Sequence, residues 1–278
     1  MFDFHIHLAR LPHAEELIQR MSDHGYSFIA IACEPWEWEK LIHVRQFGSD
    51  MKNRASFGIH PQIAAQVNDS DVMELRKYLE IFPTAQVGEA GLDKRFPGYG
   101  EGEAQERIFV AQAKLALELE RDLQIHCVGD YGRILRLLKE AGFKDMTRKE
   151  KEIQQRTMVK PESEVKAEEA SDIVLETVTK EKPLVKLVRP MFHRFGGDAN
   201  FVKAALPLGA MFSLHADSFK KKATKEAISE IPENRVFFET DADESFIKEL
   251  GETATAKEIF NKLVEDLESV RLAYANRC

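Results

Sequence analysis

The chain opens with two histidines that alternate along an apolar, β-rich run, Phe-Asp-Phe-His-Ile-His-Leu. Because side chains on a strand alternate between its two faces, His5 and His7 should point to one face, and Phe4 and Ile6 to the other. Two neutral imidazoles on one face can chelate a metal ion, although such a pair also occurs as an incidental surface feature. The pair needs further ligands before it indicates a metal site.

Other β-rich runs each carry a candidate ligand near their end. Glu89 follows Gly88, whose missing side chain allows close approach, and its two carboxylate oxygens could bridge two cations. His126, His193 and Asp241 end or interrupt apolar runs, where an unpaired polar side chain is costly. Any one of these residues alone could be a satisfied polar group at a strand end. Their repetition on successive strands favours a metal centre.

These candidate ligands fall within an alternation of β-rich runs and helix-like stretches. The candidate strands are 2–8, 27–33, 55–60, 86–92, 123–128, 190–195, 211–215 and 236–240. Helical patterns occupy 14–24, 72–81, 103–120, 131–141, 200–205, 223–230 and 256–274. Repeated strand–helix units predict an α/β fold with parallel pairing, and a (β/α)8 TIM-type barrel leaves no sheet edge. A doubly wound open sheet is the alternative. Barrel enzymes carry their active sites at the carboxyl ends of the strands, where the candidate ligands lie.

One charged segment interrupts this alternation. Residues 144–182 are rich in Lys and Glu and contain no aromatic side chain, so we expect an insertion after the fifth strand–helix unit. A solvated excursion is the first interpretation, and a lid or partner-binding segment is the alternative. The chain as a whole, 1–278 and 44% hydrophobic, should form one domain.

Charge and cysteine content limit the function classes. A net charge of −8 argues against a broad basic surface, so any contact with nucleic acid should be local. Cys33, Cys127 and Cys278 lie too far apart for a zinc ribbon or a disulfide framework, which fits a reducing cytoplasm. The first residues lack a signal-peptide pattern, and no apolar run reaches membrane-spanning length. We expect a cytoplasmic protein with no membrane association and no obligate protein partner.

In order and spacing, the motifs resemble those of the TatD family of metal-dependent hydrolases. The resemblance covers nearly the whole chain outside the charged segment. It rests on His5-Ile6-His7, Gly-Ile-His-Pro at 58–61, Val-Gly-Glu-Ala-Gly-Leu-Asp at 87–93, His126, His193 with a following Gly-Gly, Glu-Thr-Asp at 239–241, and Gln105, Phe109 and Gln112. It implies a barrel of the amidohydrolase type that hydrolyses phosphodiesters, DNA included, at a centre that commonly holds two divalent metals.

The same resemblance implies a role for each ligand. His5 and His7 would hold one metal, His126 and His193 the second, Glu89 would bridge them, and Asp241 would hold and orient the attacking water. Asp241 would be the general base, with Glu89 as the other catalytic carboxylate. Imidazole and carboxylate ligands suit Zn²⁺, Mn²⁺, Fe²⁺ or Co²⁺, and Mg²⁺ stays open because substrate phosphate can complete its shell. Glu239 could orient a ligand or serve as a structural carboxylate.

Substrate contacts are predicted for His60, Arg194, Lys220, Lys221 and Lys222. His60 could bind phosphate or a leaving group, or it could structure its loop. The lysine run follows the seventh strand and could equally be the solvated start of a helix. The family's usual Arg-Asp pair after the fifth-strand histidine is absent, so Arg194 or Arg95 would have to supply the missing cation.

Two alternatives to a nuclease follow from this altered pocket. Because fold does not fix substrate, the same centre could hydrolyse a small amide, lactone or phosphoester. The barrel could also be a non-catalytic metal-binding module, although six intact ligands argue against lost catalysis. The sequence therefore predicts a divalent-metal-dependent hydrolase acting on ester bonds, with phosphodiesters as the first candidate substrate.

Overall fold

Eight parallel strands form one sheet in the computed structural model, which describes residues 1–45, 54–147 and 187–277. The strands are β1 Phe2–Ile6, β2 Ser27–Ala32, β3 Arg54–Phe57, β4 Gln86–Asp93, β5 Leu123–Val128, β6 Pro190–Phe192, β7 Met211–Leu214 and β8 Val236–Phe238. They pair in chain order from β1 to β8. The predicted (β/α)8 barrel is therefore confirmed, and the doubly wound alternative, whose strand order reverses, is wrong.

Helices follow the strands on the outside of the sheet. In the described ranges they are α1 Ala14–Asp23, α2 Pro35–Arg45, α3 Asp69–Ile81, α4 Ala104–Glu118, α5 Tyr131–Ala141, α6 Ala199–Ala205, α7 Lys222–Ser229, α8 Glu244–Leu250 and α9 Ala256–Ala275. Helix α5 shows the general rule: Ile134, Leu137, Leu138 and Ala141 are buried at helical spacing, and Gly142 ends the helix. None of the described helices is both long and apolar enough to cross a membrane.

Several predicted strands run past the point where the observed strands end, and in two cases this concerns a candidate site residue. β3 ends at Phe57 and β8 at Phe238, so His60 and Asp241 lie in the loops just beyond. Their backbones still bond the neighbouring chain there: the His60 N–H donates to the carbonyl of Cys33, which directly follows β2, at 3.0 Å. Of the predicted insertion, residues 148–182 lie outside the described residues. Before them, Met146 is buried and its N–H donates to the carbonyl of Pro207 at 2.8 Å.

The core has two apolar clusters. The larger lies between sheet and helices, and the smaller fills the barrel interior with Phe4, Ile29, Ile31, Cys33, Met191 and Met211. The expectation that Phe4 and Ile6 share a face is wrong, because Ile6 belongs to the larger cluster. The register of β1 against β2 shifts between Asp3 and Ile6, and such a bulge resets the alternation.

Hydrogen bonds across the β8–β1 junction close the barrel. The Asp241 N–H donates to the carbonyl of His5, and the His7 N–H donates to the carbonyl of Ala242, each at 3.0 Å. His5 near the end of β1, His7 just after it and Asp241 in the loop after β8 are thereby placed side by side.

Asp3 also stabilises the junction between β1 and the chain after β8. This fully buried carboxylate accepts hydrogen bonds from the Thr240 N–H at 3.0 Å, the Thr240 hydroxyl at 2.6 Å and the Tyr26 hydroxyl at 3.0 Å. Burial raises the pKa of Asp3 to about 7, although these donors oppose the shift. Its carboxyl group therefore links β1 to the chain that follows β8.

Replacing Asp3 should weaken the closed barrel. Asp3→Ala would leave the Thr240 and Tyr26 donors without a partner in a dry core, so the free energy of unfolding should fall by about 2–4 kcal/mol. Urea denaturation of the metal-free protein measures this change. Asp69→Ala is the control, because the Asp69 side chain is 91% exposed and its loss should cost less than about 1 kcal/mol. Equal stability of the two variants would contradict the role given to Asp3.

Candidate metal centre

Glu89 reaches the barrel mouth from an irregular stretch of β4. The register against β5 shifts between Val87 and Ala90, and both of these neighbours pack in the larger apolar cluster. Gly88 has a φ of +117°, and a Cβ atom there would lie 2.3 Å from the carbonyl oxygen of Gln124. Only glycine fits this position. The two strands can therefore approach closely just before Glu89, as the sequence indicated.

One group of donors surrounds the Oε2 atom of Glu89. His5 Nε2 lies 3.4 Å and His7 Nε2 lies 3.6 Å from this oxygen. Oδ1 of Asp241 is 3.7 Å from His5 Nε2 and 3.4 Å from His7 Nε2. Donors bound at about 2.0–2.2 Å to one cation lie about 3.0–3.6 Å from one another, so these separations are close to what a single metal ion requires.

A second group of donors surrounds the Oε1 atom of Glu89. His126 Nδ1 and His193 Nε2 lie 2.5 Å and 2.7 Å from it, and 3.0 Å from each other. These are hydrogen-bond distances, so a cation would have to spread the donors. On its other side, the His126 ring bonds Asp93 Oδ2 through Nε2 at 2.9 Å. A carboxylate in that position fixes the ring with Nδ1 facing Glu89, as in many metal-ligating histidines.

Buried ring nitrogens without partners support a metal at this centre. Among the described residues, both ring nitrogens of His5 and Nδ1 of His193 have no hydrogen-bond partner. Leaving such groups dry and unpaired is costly. His5, His7 and Asp241 also have ligand atoms within 4.8 Å of one another, as do His5, His193 and Glu239. This set of imidazoles and carboxylates fits a divalent transition metal.

Burial and neighbouring charges set the protonation of the centre. Burial alone would raise the pKa of Glu89, but His193 and the nearby imidazoles outweigh it and hold that pKa well below its usual range. Burial would lower the pKa of His126 and of His193, yet Glu89 outweighs it and raises both. The pKa of His5 is lowered by burial and by the charge of His193. The His126 and His193 rings therefore keep protons to a higher pH than ordinary imidazoles, and a cation bound there would displace those protons.

His60, a predicted substrate contact, faces the same cluster. Its Nε2 atom is 3.5 Å from Glu89 Oε1, and its ring stands edge-on to that of His126 at 4.5 Å. Nδ1 accepts the Gln62 N–H at 3.1 Å, so the neutral ring carries its proton on Nε2. Burial lowers the pKa of His60 to about 4, which keeps the ring neutral. His60 thus presents a hydrogen-bond donor to the centre.

Arg194 lies against the proposed general base. One guanidinium nitrogen donates to Asp241 Oδ2 at 2.6 Å and another donates to Asp217, while the Arg194 N–H donates to Glu239 Oε1 at 2.5 Å. Arg194 and Asp241 both have left-handed backbone, with φ of 43° and 51°. Such strained residues cluster at functional sites. Burial would raise the pKa of Asp241, but hydrogen bonding to His7 and the imidazole charges hold it well below its usual range.

The other predicted substrate cations are not equivalent. Lys220 is paired with the aspartate of its own loop at 2.5 Å, and Lys222 begins α7 with a side chain that is 92% exposed. Lys221 lines a groove beside the centre. Arg95 forks onto Asp93, the carboxylate behind His126, with nitrogen–oxygen distances of 2.5–3.0 Å. Their substrate contacts stay predictions.

Two residues at the centre carry contacts that the sequence patterns did not assign. Asp93 binds the ring of His126. It lies four residues beyond Glu89 on the same strand, and this even spacing places both carboxylates on one face, which the sequence could have indicated. Cys33, taken only as a guide to the redox compartment, places its Sγ atom 4.0 Å from His7 Nδ1. It directly follows β2, where barrel sites collect their residues.

Comparison with known proteins gives this centre a family context. A family model described as TatD related DNase matches residues 2–154 and 164–275. The chain is 29% identical over 149 residues to the 3'-5' ssDNA/RNA exonuclease TatD of Shigella flexneri, a match that covers 50% of this chain and 54% of the relative. It is 33% identical over 81 residues to the protein of the same name from Pectobacterium atrosepticum, covering 29% of this chain and 31% of the relative. The matches thus span about half, or less, of these curated relatives.

A solved structure agrees with the barrel. The hydrolase TatD family protein from Entamoeba histolytica superimposes with a TM-score of 0.63 over 99% of this chain and 96% of that chain, at 15% identity. At this identity the likeness concerns the fold. The family model, in contrast, covers nearly the whole chain and includes every predicted metal ligand. The chain belongs to the TatD-related DNase family.

Proposed function

We propose that the protein is a hydrolase that uses two divalent metals to cleave phosphodiester bonds in single-stranded nucleic acid. The observation that carries this proposal is the position of Glu89, whose two oxygens each face their own pair of imidazoles. Two adjacent donor groups that share a carboxylate suit a pair of metals, which hydrolases of phosphodiesters use. The names of the matched relatives support nucleic acid as the substrate class.

Each side chain at the centre has a role in this proposal. Bound divalent cations, Zn²⁺, Mn²⁺ or Mg²⁺, would polarise the phosphate and activate water. The lowered pKa of Asp241 favours its ionised form, and this carboxylate would accept the proton of the attacking water. His60 Nε2–H faces the centre and can donate to a phosphate or leaving-group oxygen. Asp93 holds the His126 ring in orientation, and Glu239, 3.6 Å from Nδ1 of His193, would orient the second ring.

The cations available to the substrate explain why binding of DNA should be weak. Arg194 is shared by Asp241 and Asp217, and Lys220 is also paired with Asp217. A substrate phosphate must compete with these carboxylates. We therefore expect cleavage of single-stranded DNA that is slow and declines steeply with salt, because each phosphate contact adds salt dependence.

The ion pairs of Arg194 and Lys220 are also compatible with a second candidate function, the hydrolysis of a small molecule. A small amide, lactone or phosphoester engages few cations beyond the metals, so paired Arg194 and Lys220 would not hinder it. A purely non-catalytic barrel is less well supported, because the other five predicted ligands converge around Glu89, with a carboxylate behind His126. Localisation in the cytoplasm stays a prediction from sequence.

Metal binding should release protons. The raised pKa values of His126 and His193 mean that these rings begin to take up protons above the ordinary value of 6.5. A metal takes only neutral imidazoles, so its apparent affinity should fall as the pH drops from about 8 to about 6. Calorimetric titration at pH 7, in buffers with different ionisation enthalpies, should show release of about one proton or more per chain. Identical heats in all buffers together with pH-independent affinity would contradict the assigned ligands.

Hydrolysis tests the function itself. Metal-loaded protein should cleave bis(p-nitrophenyl) phosphate with little salt dependence, and single-stranded DNA with strong salt dependence. Asp241→Asn removes the proton acceptor and should lower both rates by at least about a hundredfold. Asp243→Asn is a matched control, because Asp243 caps α8 and asparagine caps equally well.

The substrate panel also separates the two candidate functions. Cleavage of neither phosphodiester, together with hydrolysis of an amide or lactone that Asp241→Asn abolishes, would replace the nuclease by the amidohydrolase-type alternative.

A further inference from the structure

A groove of about 1300 Å³ opens beside the metal centre. Its walls are the loops that follow β4, β5, β6 and β7 and the first turns of α5, α6 and α7. Neighbouring strands lie about 4.8 Å apart, so the groove crosses roughly 14 Å of the barrel mouth. Arg194 lines it and also donates to Asp241, which makes the groove continuous with the centre.

The charge of this groove differs from that of the whole chain. Although the net charge is −8, the lining has four cations, Lys94, Arg194, Lys220 and Lys221, against three carboxylates, Asp130, Asp198 and Asp217. A groove of about 670 Å³ on the outer helices has the opposite balance, with three cations and four carboxylates. The groove next to the predicted active site therefore has one more cation than carboxylates in its lining, in contrast to the acidic chain as a whole.

The carboxylates of the groove are already engaged. Asp130 accepts the Arg133 N–H at 3.0 Å and Asp198 accepts the Phe201 N–H at 2.9 Å, each capping a helix. Asp217 is paired with two of the cations. In contrast, within the described ranges neither Lys94 nor Lys221 has a carboxylate oxygen within 4.0 Å. These two exposed lysines can bind an anionic ligand without first breaking an ion pair.

The groove also has an aromatic and apolar lining. Tyr99 and Tyr131 are half-buried at its edge, with Phe201, Leu135 and Cys127 beside them. The Tyr131 ring is fixed by its hydroxyl, which accepts the Gly196 N–H at 2.9 Å, and by edge-to-face packing on Phe201. Aromatic side chains between cations are how proteins bind single strands without reading their sequence.

We propose that this groove holds the single strand that leads to the scissile phosphate, with Lys94 and Lys221 on backbone phosphates and the aromatic lining against bases. The inference rests on the proposed function and adds the path of the substrate, across β4 to β7. It also divides the lysine run: Lys221 binds the strand, whereas Lys222, which pairs with Glu226, does not.

Salt-dependent binding of an oligonucleotide tests this path. The probe is a fluorescent phosphorothioate oligothymidylate, which resists cleavage, titrated by anisotropy into full-length metal-loaded protein. Lys94→Ala and Lys221→Ala should each weaken binding several-fold and reduce the slope of log K against log salt by about 0.7, the value for one lost phosphate contact on a single strand. Lys222→Ala, one residue away and with the same charge change, should leave the slope unchanged.

Two further measurements separate this inference from the proposed function. An abasic oligomer of equal charge should bind at least about tenfold more weakly than oligothymidylate, because stacking on the aromatic lining is lost. Hydrolysis of bis(p-nitrophenyl) phosphate by the metal-loaded wild type is the separate readout of the proposed function. Absence of that hydrolysis in wild type, with groove-dependent binding intact, would overturn the function and support the groove.

Three results would overturn the groove instead. One is an equal change in slope for Lys221→Ala and Lys222→Ala, or no change in either. Another is competition by an acidic peptide as effective as that by oligothymidylate, which would make the groove a general anion surface. The third is equal affinity for the abasic oligomer.

Discussion

The burial of one carboxylate among imidazoles is the constraint on which the structure depends. Glu89 is 2% exposed, and its oxygens lie within 3.6 Å of nitrogens from five histidines. A buried carboxylate is costly unless it is paired with a cation or with hydrogen-bond donors, and a buried imidazole is costly unless its nitrogens are bonded. Contacts between Glu89 and the histidines reduce both costs. Among the described residues the ring nitrogens of His5 have no hydrogen-bond partner, and a bound cation would complete this pairing.

Holding these groups together requires a closed ring of strands. His5 and Asp241 come from the two ends of the sheet, and they meet because hydrogen bonds and the Asp3 carboxylate join β1 to the chain after β8. A further layer of carboxylates stands behind the ligands, with Asp93 on His126 and Glu239 near His193. Barrel closure sets the positions of the ligand backbones, and the outer carboxylates set the orientations of the imidazole rings. An error in either would displace the metal donors.

The sequence predicts the barrel and the ligand cluster because both depend on local periods. Strand alternation places His5 beside His7, and repeated strand–helix units place all strand ends on one face. Features that depend on contacts between strands cannot be predicted from these local periods. The bulge before Ile6 places its side chain in a different cluster from that of Phe4. His60 presents Nε2 to Glu89 because the Gln62 N–H binds its Nδ1 atom. Lys221 and Lys222 differ because α7 begins between them. The family resemblance supplied the ligand roles but neither the groove nor the pairing of Arg194.

Anomalous X-ray diffraction from crystals grown with Zn²⁺ or Mn²⁺ tests the central claim most directly. Data collected at the metal absorption edge should show two peaks about 3.5–4 Å apart with Glu89 between them, one against His5 and His7 and the other against His126 and His193. In Glu89→Gln the pair should be lost or reduced to one peak, whereas Glu106→Gln, at a buried glutamate paired with arginines, should keep both. No metal peak among these side chains, with density for metal elsewhere or nowhere, would contradict the account.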